Sequence, residues 1–286
     1  MSQQGVHYFP GHMSKALRNI SNFVKVVDLI VEIVDARAPY SCRNPLLAEI
    51  APQKARVLLL SKSDMADDGV TKQWIKYFAD NGVRAVAGNL KKERFVTILN
   101  QAAAPFINAK REKEKRIGMK KQAIRVMVIG IPNVGKSTLI NNLRGRKVAQ
   151  VGNKAGVTRA EQWIKLNDDF TLLDTPGILP MNYPNGQEAI RLALLGSMKE
   201  EVLPTEELCY ALIGYLKENY PQSLQNRFGI DDISNYDSQI LLQEIARKRG
   251  LLEGANPSET KAAYLLIKEF KDGLLGNISL EIPDAQ

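Results

Sequence analysis

Gly130-Ile131-Pro132-Asn133-Val134-Gly135-Lys136-Ser137 has the spacing G-x-x-x-x-G-K-S. It follows an apolar run, Ile124 to Ile129, and opens a stretch of helical spacing, Lys136 to Leu143, with Leu139, Ile140 and Leu143 on one side. Between a strand and a helix, backbone N–H groups of such a loop surround phosphates, Lys136 reaches the terminal phosphates, and the Ser137 hydroxyl ligates magnesium. Val134, Gly135 and Thr138 belong to the same predicted contact set. The alternative is a vestigial loop, but the flanking strand and helix remove most chance matches.

Asp174-Thr175-Pro176-Gly177 follows a second apolar run, 44 residues beyond Gly130. There Asp174 can hold magnesium through water, and the Gly177 N–H can meet a terminal phosphate as the loop closes. Thr158, in Gly156-Val157-Thr158-Arg159, offers magnesium a further hydroxyl; a plain surface threonine is the competing reading. Choosing a base needs an acceptor that guanine satisfies and adenine does not. A carboxylate takes both the N1 hydrogen and the 2-amino group of guanine. Asp64, in Ser61-Lys62-Ser63-Asp64 after the run Val57 to Leu60, fits that role, with the Lys62 stem along the ring. Alone, this tetrapeptide would read as a polar turn.

These groups need a scaffold. Val26 to Val34, Val57 to Leu60, Gly82 to Val86, Ile124 to Ile129, Glu161 to Leu166 and Phe170 to Leu173 read as six strands, one of them antiparallel across the Asn167-Asp168 turn. A covering helix is expected within Thr71 to Asn81. Base recognition stands before the phosphate loop, and the chain after DTPG turns helical, so a doubly wound sheet is complete only if upstream and downstream strands join. The expected fold class is therefore α/β: a circularly permuted phosphate-loop domain with a mostly parallel six-stranded sheet over residues 1–203, then a small all-helical domain over 204–286. Further helices are expected over Gln187 to Lys199, Pro204 to Leu216, Ser238 to Lys248 capped by Asp237, and up to about Lys271 capped near Asn256-Pro257.

The 286 residues carry a net charge of +8, unevenly spread. Residues 101–150 hold 12 basic and 2 acidic side chains (+10), whereas 201–286 hold 8 and 14 (−6). The basic connection Asn108 to Gln122 can meet a polyanion or be a solvated linker; its early part suits a polar helix that Gly118 interrupts. Cys42 and Cys209 are too few for a disulfide-framed scaffold, and no apolar run nears membrane-spanning length. A cytoplasmic protein with neither membrane attachment nor a stable oligomeric state is expected.

The order SKSD, GIPNVGKS, GVT, DTPG after an N-terminal YFPGHMSKA resembles the circularly permuted ribosome-biogenesis GTPase A family over essentially the whole chain. The resemblance implies GTP hydrolysis to GDP coupled to late maturation of the bacterial large ribosomal subunit, with the C-terminal helices helping to dock on ribosomal RNA. It implies a catalytic role for His12 in the FPGHM segment. Imidazole can orient water near neutral pH, whereas Ile178, after DTPG, cannot hydrogen-bond it. Lys136 and Gly177 complete the expected catalytic set. Asn133 is implied to help hold potassium, a loop hydrogen bond being its alternative. The family's base motif begins with Asn where this chain has Ser61, so a hydroxyl replaces an amide, and its Ser-Ala loop is matched only loosely by Ala87-Gly88-Asn89. Two competing readings are a noncatalytic nucleotide-dependent RNA-binding assembly protein with incidental hydrolysis, and a metabolic ATPase, which Asp64 opposes.

Overall fold

The computed structural model describes residues 6–7, 22–43, 51–144, 150–151, 163–173, 182–183, 186–198, 203–231 and 233–283. A short ladder joins β1 (Val6–His7) antiparallel to β9 (Asn182–Tyr183). The main sheet contains β2 (Leu29–Asp35), β3 (Ala55–Ser61), β4 (Ala85–Gly88), β5 (Ile124–Ile129), β6 (Gln150–Val151), β7 (Trp163–Lys165) and β8 (Phe170–Leu173), in the order β4-β3-β2-β5-β8-β7-β6. All six expected strands are present, and the two-residue β6 extends the edge. Its two residues are too few to show an alternation in the sequence.

Every residue of β2 is buried, which explains its nearly unbroken apolar run: a parallel sheet covered on both faces has no solvent side. β2 pairs parallel with β3 on one side and β5 on the other, through Leu29↔Val126 to Glu32↔Ile129. β5 in turn pairs parallel with β8, while β7 runs antiparallel to β8 and β6. Strands encoded before and after the phosphate loop therefore meet at β5 in one sheet.

On the sheet, α1 (Asp68–Asp80) begins where the Asp67 carboxylate accepts the Val70 N–H, three residues ahead of Thr71. It buries Val70, Thr71, Trp74 and Phe78. α2 (Phe95–Ala102) was not foreseen, whereas α3 (Ala104–Arg116) is the polar helix, ending ahead of Gly118 at φ +66°. α4 (Lys136–Arg144) leaves the phosphate loop. α5 (Gly186–Leu194) stops short of Lys199 because Gly196 takes φ +71°, with Ser197 N bonding Leu192 O and Gly196 N bonding Ala193 O, a left-handed helix stop.

α6 (Thr205–Asn219), α7 (Pro221–Phe228), α8 (Ser238–Lys248) and α9 (Glu259–Lys271) follow. Leu212, Leu216, Leu242, Ile245, Leu266 and Phe270 are buried among them. Asp237 caps α8 as expected. The cap of α9 is Ser258, not Asn256: Asn256–Pro257 (β11) instead pairs with Leu252–Glu253 (β10). The chain then returns to the sheet. Leu280 N donates to Arg37 O at 2.6 Å, Ile278 N to Met65 O at 3.0 Å, and the Trp74 indole N–H to Glu281 O at 3.0 Å. Among the described residues, no helix is long and apolar enough to cross a membrane.

Candidate nucleotide site

The register aligns the carboxyl ends of four strands: Asp35 opposite Ser61, Ser61 opposite Gly88, and Glu32 opposite Ile129. That edge is where open α/β sheets bind ligands. The loop Gly130 to Ser137 turns there. A Cβ on Gly130 would approach the Ile33 carbonyl oxygen more closely than side chains tolerate, so the loop lies against β2. Asn133 at φ 62° and Gly135 at φ 105° supply the left-handed turns that curl its backbone.

Ser61 ties the base segment to this loop. Its fully buried Oγ lies 2.6 Å from Val134 O and 2.9 Å from Val34 O, sharing one hydroxyl proton between the two carbonyls. Lys62 follows at φ 54° and sends its Nζ to within 2.8 Å of Asp35 Oδ2. Asp35 also takes Arg37 Nε at 3.0 Å and a terminal guanidinium nitrogen at 2.9 Å. Burial pushes the Asp35 carboxyl upward, but Arg37 and then Lys62 override it and hold the group well below the usual carboxylate range. The Lys62 ammonium is thus fixed at the strand ends while the residue lines the cleft.

Two adjoining clefts result. One, of about 320 Å³, is lined by Ser61, Lys62, Asp64, Asn89, Gly135 and Thr138, together with Met65, Leu90 and Lys91. The other, of about 360 Å³, is lined by Pro132, Asn133, Lys136 and Ser137, and again by Lys62, Gly135 and Thr138. The first offers a carboxylate acceptor and apolar walls, the second backbone N–H groups, an ammonium and a hydroxyl. A molecule with a purine at one end and phosphates at the other matches both halves. Ser137 suits magnesium, a hard cation that prefers oxygen. Asn133 donates its amide N–H to Gly196 O.

The loosely matched segment Ala87-Gly88-Asn89 lies close to the observed wall: Asn89 forms part of it, with its Oδ1 accepting the Lys91 N–H at 2.9 Å. Sequence reasoning missed Lys271 and Asp272, which reach the base half of the cleft from the end of α9. No local pattern marks them, because a residue some two hundred positions from Asp64 is placed only by packing. His12, Thr158, Asp174 and Gly177 lie outside the described residues.

A roomier cavity, about 1010 Å³, lies elsewhere, lined by Val27, Asp28, Phe106, Lys110, Arg125 and Trp163 at the opposite ends of β2 and β5. Its walls are largely apolar and lack the phosphate-binding loop, so chemistry rather than volume selects the site. The Arg247-Lys248-Arg249 cluster is held internally. Arg247 pairs with Glu244, Lys248 Nζ donates to Gly229 O at 3.0 Å, and Arg249 donates to Arg227 O at 3.2 Å while its guanidinium covers the Phe228 ring.

Comparison with known proteins agrees with this geometry. A family model described as "50S ribosome-binding GTPase" matches residues 125–224. Ribosome biogenesis GTPase A of Bacillus cereus is 38% identical over 98% of this chain and 94% of its own length. The Thermotoga maritima protein of that name is 31% identical, covering 97% and 94%. A GDP-bound structure of TM YlqF superposes with a TM-score of 0.64 at 28% identity, covering 93% of this chain and 99% of that one; the GNP-bound YlqF from T. maritima gives 0.63 at 29%, covering 94% and 99%. The likeness runs along nearly the full length of these relatives, and this chain, with SKSD and GIPNVGKS on one sheet edge, is a GTPase of the ribosome biogenesis GTPase A family.

Proposed function

We propose that this GTPase hydrolyses GTP to GDP and phosphate late in maturation of the large ribosomal subunit, and that the subunit stimulates turnover. The observation that carries the nucleotide assignment is the sharing of Lys62, Gly135 and Thr138 by the base and phosphate clefts. In this reading Asp64 accepts the guanine N1 and 2-amino hydrogens, Lys136 meets the terminal phosphates, and Val134 and Gly135 supply backbone donors. The Gly177 N–H meets the gamma phosphate. Ser137, Asp174 and Thr158 would hold magnesium, which when bound neutralises charge on the phosphate oxygens. The Asn133 oxygen would hold potassium beside them.

His12 orients the attacking water, since Ile178 has no polar side-chain atom to do so. The sheet domain, 1–203, carries this chemistry, and residues 204–286 dock on ribosomal RNA. Lys113, Lys115, Arg116 and Lys120 are exposed on and just after α3, which supports a second, phosphate-directed contact there. The three basic residues at 247–249 support docking less, because intramolecular partners already hold them.

Steady-state GTP hydrolysis with magnesium, in potassium or sodium, with and without large subunits, tests the proposal in wild type and His12→Ala. Subunit- and potassium-stimulated turnover that His12→Ala abolishes, with GTP affinity kept, is the expected result. Turnover that large subunits leave unchanged would favour the noncatalytic assembly reading, and equal stimulation in both proteins would remove His12 from the chemical step.

A further inference from the structure

The nucleotide cleft is closed on one side by the C-terminal helices. Lys271 and Asp272, in the last turn and C-cap of α9, line the base half with Asp64 and Thr138. Lys271 also lies near Gly196, whose carbonyl is bonded to Asn133 of the phosphate loop. A Cβ on Gly196 would lie 3.7 Å from Lys271 Cε, 4.0 Å from its Nζ and 3.8 Å from Asn133 Nδ2, so both side chains converge on one glycine. That glycine's carbonyl already takes the Asn133 amide.

The corner that carries Lys271 is fastened to the base segment at several points. Arg37 donates to Phe270 O at 3.2 Å and covers the Phe270 ring, its other face being bonded to the same Asp35 that holds Lys62. A Cβ on Gly273, at φ +75°, would crowd the side chain of Met65, which follows Asp64 directly. Ile278 N bonds Met65 O, and Asp67 N donates to Ser279 Oγ at 3.2 Å. Its ordinary explanation, a cation at a helix C-terminus, requires only that Lys271 lie in the last turn. It does not account for a lysine that lines the cleft beside Asp64 and brings its ammonium near Gly196.

We propose that Lys271 is a nucleotide-binding residue supplied by the C-terminal helices, its ammonium facing the anionic side of a guanine nucleotide at the junction of the two clefts. This rests on the assignment of those clefts to base and phosphates. A charge-assisted contact of this kind raises affinity for GDP and GTP alike, because it lies away from the reacting gamma phosphate.

The test is titration of the full-length protein with fluorescent GDP, comparing wild type, Lys271→Ala, Lys271→Arg and Lys136→Ala, with each melting temperature measured in the absence of nucleotide. The expected result is about tenfold weaker GDP binding by Lys271→Ala, near-recovery by Lys271→Arg, and unchanged nucleotide-free melting. Wild-type affinity in Lys271→Ala with weakened binding in Lys136→Ala would overturn the inference and leave the phosphate cleft standing. Wild-type affinity in both would overturn the inference together with the cleft assignment. If Lys271→Ala melts early, Lys271→Gln, which keeps most of the stem, is read instead: normal affinity there overturns the inference, and weak affinity at wild-type melting supports it.

Discussion

The Ser61 hydroxyl lies 2.6 Å from the Val134 carbonyl, 73 positions along the chain, and so ties the base-recognition segment to the phosphate loop. The same hydroxyl reaches Val34 O at 2.9 Å, so the ends of β2 and β3 and the loop share one buried bond. The serine side chain is short, yet it spans the gap because β3 ends directly beneath the loop.

Ser61→Ala leaves buried carbonyls short of a donor, at a cost of about 1–3 kcal/mol. Part of that cost appears as a less ordered loop. GDP binding is expected to weaken by about tenfold in calorimetric titration. Affinity equal to wild type would show that the bond does not organise the loop.

Gly130→Ala places a methyl group against the Ile33 carbonyl, a backbone atom with no freedom to move aside. Overpacking of this kind costs about 1–3 kcal/mol. Gly214 provides the control, since it lies within α6 with open space where a Cβ would point. Gly214→Ala should stabilise by up to about 1 kcal/mol. Urea midpoints shifting in opposite directions are the expected outcome; equal shifts would contradict it.

Asp35→Asn removes the carboxylate that both Arg37 and Lys62 contact and leaves a buried guanidinium poorly paired. The expected loss is about 3–5 kcal/mol. The pH dependence follows from the sign of the shift: a carboxyl held low in the folded state stabilises fully above its unfolded value near pH 4. That contribution falls away as the pH drops below about 4. Denaturant titrations at pH 7 and pH 3 should therefore differ more for wild type than for Asp35→Asn; parallel losses would exclude Asp35 as a source.

Much of this was legible in the sequence. A strand buried along its whole length such as β2 writes itself as a nearly unbroken β-branched and aliphatic run, β5 does so apart from exposed Arg125, and Gly130 to Ser137 declares its loop through residue types that backbone curvature demands. The permuted order then followed from topology, because Asp64 and Lys136 serve one ligand only if β3 and β5 share a sheet. What remained hidden depends on distant packing. Phe95–Ala102 carries no capping side chain to mark its start, and Asn256 has a capping residue type yet pairs with Glu253 while Ser258 caps the helix. Lys271 had no local signal at all.

The two thiols are buried, and burial pushes Cys209 up to about 12 and Cys42 well above its ordinary value. At pH 8 neither supplies the thiolate that alkylation requires. Iodoacetamide should leave the native protein unmodified and label both positions once it is unfolded in guanidinium. Rapid labelling of native Cys209 would contradict the buried placement of α6.

Asp64 and Lys136, encoded on opposite sides of β5, are expected to act on one guanine nucleotide. Xanthine presents an oxygen where guanine presents its 2-amino group, so an amide at position 64 should accept what the carboxylate rejects. The decisive measurement is competition of GDP and xanthosine diphosphate for Asp64→Asn against wild type. A loss of GDP affinity by about a hundredfold or more, with a matching gain for xanthosine diphosphate, is the predicted result. An unchanged preference for GDP would contradict the account.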